Sequence, residues 1–292
     1  MDGWVMQVGE MLKPLVEVMG RELVQGNYLQ ADETPVDVQT HDGRGQNHQA
    51  YLWQYGRPGG ATVFDFRMGR ERAGPQYFLR DFQGILQTDA YQAYDKVGGS
   101  GMVQAGCWTH ARRGFANLVK LNPGDPVASP IVAWINQLFA VDGEARERGL
   151  SLEERHQLRQ QKAPALLEKI KTAIEVAQAG ALPGGLLAKS CHYTLGQWTK
   201  LIRFLQYPEL ELSNNLAENS MRPITLGRKN WIHIGSQQAG SKVAAILSVI
   251  ETCRRLKISP RDYLSAVLPG LADAPMRRLP TLTPTAWAAQ RQ

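Results

Sequence analysis

The sequence predicts an α/β protein: a mixed sheet with an antiparallel three-strand meander plus parallel strands, interrupted by an all-helical insertion. Three observations predict it. Apolar, β-branched and aromatic runs at 28–38, 50–55 and 61–66 are separated by short turn signals. A helical stretch then divides the third run from a fourth at 84–88, the spacing of a crossover between parallel strands. From about 126 to 205 no strand pattern occurs, and apolar residues recur at helical spacing.

Taken in order, residues 5–23 carry Val5, Val8, Met11, Leu12, Leu15, Val16, Met19 and Leu23 on one helical stripe, stopped by Gly26 and Asn27. This helix reads as the end of something longer. The first strand is closed by Asp42-Gly43 and the second by Arg57-Pro58-Gly59-Gly60, connections short enough for a meander. Pro75 opens a helix that runs through Tyr77, Phe78 and Leu79 to Phe82. The strand at 84–88 ends on Asp89. A weak fifth strand covers 102–105, and a helix covers 108–121. Helices follow at 131–148, 152–179 and 186–205, punctuated by Gly149, Gly180 and Pro183-Gly184-Gly185. Asn215 is placed to cap a further helix with Glu218 as its partner three residues on. Pro223 limits that helix to about two turns, because the residue before proline avoids the helical region. Residues 224–234 read as irregular or extended and 241–256 as a helix. The proline-rich end from 269 reads as poorly ordered.

Composition narrows the class. The 292 residues are 43% hydrophobic, enough for a substantial core, and the net charge of +6 suits a polyanionic partner. Three cysteines, Cys107, Cys191 and Cys253, do not make a secreted disulfide framework. The first residues lack the basic start and apolar block of a signal peptide, and no apolar stretch is long enough to span a bilayer. The expected setting is therefore reducing and cytoplasmic, with no membrane partner.

Three carboxylates stand out. Asp32 lies in the first strand, Asp89 follows the fourth, and Glu218 opens the helix beyond the insertion. Successive strand residues face opposite ways, so Asp32 and Glu33 cannot serve one site. Asp89 sits at a strand's carboxyl end, where open sheets build sites. If the first and fourth strands are neighbours, Asp32 and Asp89 can meet. Acids gathered from separate elements are one way to hold two divalent cations for phosphodiester chemistry. Against this stands the ordinary reading: a chain with 27 acidic residues always offers three, and Glu218 with Arg222 has ion-pair spacing.

Five segments tip the balance: Ala31-Asp32-Glu33-Thr34-Pro35-Val36; Thr88-Asp89-Ala90-Tyr91-Gln92-Ala93-Tyr94; Cys107-Trp108-Thr109-His110-Ala111-Arg112-Arg113-Gly114-Phe115; Asn214-Asn215-Leu216-Ala217-Glu218-Asn219-Ser220-Met221-Arg222-Pro223; and Leu226-Gly227-Arg228-Lys229-Asn230-Trp231. In this order they resemble the transposases of the insertion-sequence-66 family, a branch of the DDE transposases. The resemblance runs from about residue 28 to 268. It implies a ribonuclease-H-like core with the helical insertion before the final acid. It also implies Asp32, Asp89 and Glu218 as the catalytic triad, holding two Mg²⁺ ions for which Mn²⁺ can substitute. The expected organisation is an N-terminal helix at 1–26 left from a missing N-terminal region, a first core part at 27–124, the insertion at 125–210, a second core part at 211–258 and a C-terminal extension at 259–292. Full-length relatives carry a DNA-binding, cysteine-rich region ahead of the core, so the chain is expected to be a fragment or a truncated gene product.

The implied chemistry is hydrolysis that frees a 3′-OH at the element's end, then attack by that hydroxyl on target DNA. Double-stranded DNA is the expected partner, at transposon ends and target, with a homo-oligomer on the DNA and accessory proteins of the same element. The setting the resemblance implies is bacterial, nucleoid-associated when bound to DNA. Cys107 and His110 form a C-x-x-H pair; zinc would need further ligands, and adjacent Cys191 and His192 is awkward geometry for them. The resemblance instead implies that His110 lies near the site, touching a phosphate. Arg112, Arg113, Arg222, Arg228 and Lys229 are the candidate phosphate contacts. Arg254, Arg255 and Lys257 read as helix C-terminal cations, and Trp231 as a base-stacking or a core residue. The alternatives are a catalytically inactive remnant that binds DNA or oligomerises, and another ribonuclease-H-like nuclease such as a junction resolvase.

Overall fold

The computed structural model describes residues 2–40, 43 and 45–291. In chain order its elements begin with α1 (Asp2–Val24), β1 (Tyr28–Val38), β2 (His48–Gly56), β3 (Thr62–Arg67), α2 (Ala73–Leu79), β4 (Ile85–Gln87), β5 (Val103–Ala105) and α3 (Trp108–Leu121). There follow α4 (Ala128–Glu147), α5 (Leu152–Gly180), α6 (Leu186–Gly196), α7 (Trp198–Leu201), α8 (Asn215–Trp231), β6 (His233–Ile234), α9 (Gln237–Arg255), α10 (Pro260–Val267), α11 (Leu279–Leu282) and α12 (Pro284–Ala289). The chain divides into two units. One comprises Met1–Leu86, Tyr91–Val103 and Asn215–Gln292; the other comprises Gln87–Ala90 and Gln104–Asn214.

The sheet is mixed, in the order β3-β2-β1-β4-β5, with β6 also on β1. The meander is antiparallel as expected, with Asp32 opposite Gln54 and Glu33 opposite Trp53. Gly59, in the turn that closes β2, has φ +68°, a conformation glycine adopts without steric cost. Asp42, half of the turn signal read after β1, lies outside the described residues. Strand β4 is the neighbour of β1 in the sheet, and β6 runs parallel to β1 at Asp37 and Val38.

Alternation gives this sheet two apolar faces in the first unit. On one, Leu29, Ala31, Trp53, Tyr55 and Val63 pack with Leu12, Leu15 and Met19 of α1 and Val249 of α9. On the other, Val36, Val38, Leu52 and Phe64 pack with Met221 and Ile224 of α8. The outer edge of β3 would leave backbone groups unpaired. Helix α9 covers it: Ser248 Oγ accepts from Phe64 N at 2.8 Å, and Thr252 Oγ1 accepts from Thr62 N at 3.0 Å while donating to Thr62 O at 2.9 Å.

Three expectations need correction. Pro223 does not end its helix: α8 runs seventeen residues, through Pro223 to Trp231. Packing of Met221 and Ile224 against the sheet, and a bond from Arg228 Nη1 to Pro35 O at 2.6 Å, hold turns on both sides of the proline. Residues 224–231, expected to be irregular or extended, are therefore helical. Asn215 is itself the first helical residue rather than the cap. The proline-rich end is also built into the fold: α11 and α12 form there, and Leu271 and Leu279 enter the main core.

The second unit is helical apart from its strand ends. Trp108, Phe115, Ile135, Ile170, Ile174 and Phe204 are buried. Helix α5 starts with the reciprocal Ser151–Glu154 capping box, a device that satisfies two orphan donors. Its charged sequence hides a buried pair: Arg159 binds Asp142 of α4 through two bonds of 2.7 Å.

Candidate active site

Asp32 and Glu218 belong to the first unit, Asp89 to the second. Within the first unit, β1 directs Tyr28, Gln30, Asp32 and Thr34 to one face. Helix α8 lies along that face. Its first turn is fixed by Ala217 N donating to Gln30 Oε1 at 3.3 Å, and its last by Arg228 Nη1 against Thr34 Oγ1 at 3.4 Å and Pro35 O. Glu218 follows Ala217 directly, and Asp32 stands between Gln30 and Thr34. Strand alternation and helix docking thus bring the two carboxylates to the same side of the sheet. Both are half-buried.

Glu33 faces the other way, opposite Trp53 on the α1 side. Its side chain is 2% exposed and pairs with Arg70 Nη2 at 2.6 Å, while Tyr94 donates to its other oxygen at 2.9 Å. The Arg70 guanidinium lies 4.0 Å over the Tyr91 ring, and Tyr91 donates to Arg70 O at 2.8 Å. Burial, then the charge of Glu33, pushes the Tyr94 phenol well up, so it remains a donor. The turn that follows Asp89 in the chain is thereby pinned to β1 through Glu33. Sequence reading set Glu33 aside as a site residue but gave it no other task; the Tyr91-x-x-Tyr94 spacing was the available signal.

In the second unit, Asp89 follows β4. Gln87 Nε2 ties the end of that strand to Gly106 O at 2.9 Å and Glu211 O at 2.7 Å. Tyr193 of α6 donates to Asp89 O at 2.8 Å. Burial raises the Tyr193 phenol, with Cys107 and Asp89 adding to the rise and Arg113 opposing it. Ala90 has φ +75°. No sequence signal links Tyr193 to Asp89, which lie 104 residues apart.

The cationic candidates separate by exposure. Arg222 and Lys229 are exposed on α8, whereas Arg228 is committed to β1. On α3, Arg113 is exposed, His110 is half-buried, and Arg112 Nε donates to Asn136 Oδ1 at 2.6 Å. Trp231 is 38% exposed, and Cys107 and Cys191 are buried thiols. Among the described residues no group of three or more His, Cys, Asp or Glu stands close enough to hold a metal ion, zinc included. Each of Asp32, Asp89 and Glu218 offers carboxylate oxygens, hard donors that suit Mg²⁺ or Mn²⁺ rather than zinc. No described helix is long and apolar enough to cross a membrane.

Comparison with known proteins gives a family. The profile described as "Transposase IS66 family" matches residues 1–242. Three curated relatives from Sinorhizobium fredii align over nearly the whole chain. "Uncharacterized protein y4hP" is 29% identical over 94% of this chain and 53% of its own length. "Uncharacterized protein y4qI" is 30% identical over 96% and 54%, and "Uncharacterized protein y4jD" 29% over 99% and 59%. The chain thus spans about half the length of the curated relatives it matches. No solved structure matches it.

Proposed function

The chain belongs to the IS66 family of transposases, and from that premise we propose that it cleaves and joins DNA at the ends of a mobile element, using Asp32, Asp89 and Glu218. The observation that carries this reading is the seating of α8 along the Asp32 face of β1, with Ala217 bound to Gln30. An acid from beyond the helical insertion thereby shares a face with one from the first strand. The meander and the strand beside it are the parts we assign to a ribonuclease-H-like core, with the inserted helices interrupting it before Glu218.

Asp32, Asp89 and Glu218 would hold two Mg²⁺ or Mn²⁺ ions, which when bound lower the pKa of an attacking water and offset charge on the phosphoryl group and leaving oxygen. The protein's own share is positioning. Gln30 fixes the first turn of α8, and so the backbone that carries Glu218. The Glu33–Arg70–Tyr94 network stiffens β1 from behind Asp32. Arg222 and Lys229 neutralise phosphates beside the acids, Arg112 and Arg113 do so from α3, and His110 hydrogen-bonds a phosphate. The partners this reading requires are duplex DNA at element ends and target, and a second copy of the chain, since joining two ends takes two sites.

The test is Mg²⁺- or Mn²⁺-dependent nicking of supercoiled plasmid by the wild-type chain and by D32N, D89N and E218Q. We expect nicking by the wild type and none by the variants, with DNA binding and circular dichroism retained. Retained nicking in D89N would remove that residue from the site. A wild-type chain that binds DNA yet ignores both metals would favour a binding-only remnant.

A further inference from the structure

We propose that Tyr193, on α6 of the helical unit, is a positioning residue for Asp89: its hydroxyl anchors the Asp89 carbonyl and so holds the kinked backbone that aims the carboxylate. The inference rests on reading Asp89 as one of the metal-holding acids.

The backbone just past Asp89 is unusual. Ala90 has φ +75°, the left-handed region that L-residues with a Cβ enter at a cost. An alanine left to itself would relax toward extended or right-handed conformations. That relaxation would rotate the peptide between Asp89 and Ala90 and swing the Asp89 side chain with it. Two hydrogen bonds oppose the relaxation. Tyr193 Oη donates to Asp89 O at 2.8 Å, and Ala90 N donates to Thr88 Oγ1 at 3.3 Å. The first fixes the carbonyl of the very peptide that would turn.

Next to Tyr193 on α6, Cys191 and Thr194 are buried, and Thr194 Oγ1 bonds back to Ser190 O at 2.9 Å. On the other side of Asp89, Gln87 holds the strand end to two separate backbone carbonyls. Asp89 is therefore gripped through its backbone from both sides. The helical unit thereby acquires a catalytic duty beyond filling space between the acids in sequence: it supplies the hydroxyl that sets the geometry of one of them.

The test reads Mn²⁺ binding to the 292-residue chain by titration calorimetry, beside plasmid nicking and thermal unfolding. Y193F keeps the ring and loses only the hydroxyl. It should unfold like the wild type but bind Mn²⁺ about tenfold more weakly, the scale of releasing one left-handed residue. A90G in the Y193F background should recover much of that loss, because glycine holds positive φ without the tether. A90V, with Tyr193 intact, should weaken Mn²⁺ binding in the same way, since a β-branched residue resists that conformation. Should Y193F fail to fold, A90V still decides the matter. Wild-type Mn²⁺ affinity in Y193F or in A90V, while D89N loses it, overturns the role of Tyr193 and leaves Asp89 in place. Unchanged Mn²⁺ binding in D89N overturns the reading on which the inference rests.

Discussion

Replacing Asp142 with alanine should destabilise the helical unit more than any loss of a surface charge. Asp142 and Arg159 are 2% and 1% exposed, and their two 2.7 Å bonds form a planar fork. Arg159 also donates to Phe204 O at 3.4 Å, Pro208 O at 3.3 Å and Leu210 O at 2.9 Å. Arg155 reaches Leu210 O at 2.8 Å and Glu211 at 2.9 Å. Removing the acid strands the Arg159 guanidinium in the interior, at a cost of about 3–5 kcal/mol. The three carbonyls still accept from it, which favours the lower half of that range. Removing both charges, as D142A/R159M, leaves imperfectly satisfied carbonyls, a cost of about 1–2 kcal/mol; Arg155 loses its 3.7 Å pairing with Asp142 but keeps Glu211 and its bond to Leu210 O. The double variant should thus be more stable than the single. Urea unfolding followed by circular dichroism gives the free energies. Hydrogen exchange across α4 and α5 localises the loss, which matters in a chain of two units. Raising the salt should change little, because buried pairs are weakly screened. A D142A variant within about 1 kcal/mol of wild type, or a double variant no better than the single, would refute the argument.

Two further outcomes are expected. R222A and K229A should each lower the salt slope of DNA binding by about one, whereas R228A, whose guanidinium holds Pro35 O, should leave the slope alone and cost about 1.5–3 kcal/mol of stability; filter binding across salt and urea melts separate the two effects. Burial raises the carboxyl of Asp65 despite the opposing charge of Arg67, so the folded state binds its proton more tightly than the unfolded one. Stability from this group is present below the ordinary carboxylate range and is lost as pH rises through it to the raised value. D65N should therefore stabilise the chain at neutral pH and lose that advantage in acid, as thermal melts across pH would record.

Local pattern carried most of the secondary structure. β1 could be read from its own residues because strand alternation and the turn chemistry beyond it need no distant partner, and the same holds for α3 and the helices of the insertion. Alternation also separated Asp32 from Glu33 without coordinates. The motif order around Asp32, Asp89 and Glu218 was legible as a family likeness, a property of the chain itself. What sequence reasoning missed lies where distant packing outweighs a local preference. Pro223 is a local stop signal, yet the contacts of Met221, Ile224 and Arg228 with the sheet carry the helix past it. The prolines of the last segment suggested disorder, yet Leu271 and Leu279 find a core to enter.

The sequence by itself determined the strands of the meander and the helical character of the middle of the chain. Those follow from periodicity and residue chemistry over a few neighbours. Only the tertiary structure decided that α8 lies on the Asp32 face, that Ser248 and Thr252 close the edge of β3, that Glu33 is held by Arg70 and Tyr94, and that Tyr193 reaches the Asp89 carbonyl. Each of these joins residues far apart in the chain, and no local preference encodes such a meeting: it exists only once the burial of two apolar faces has fixed where every element must lie.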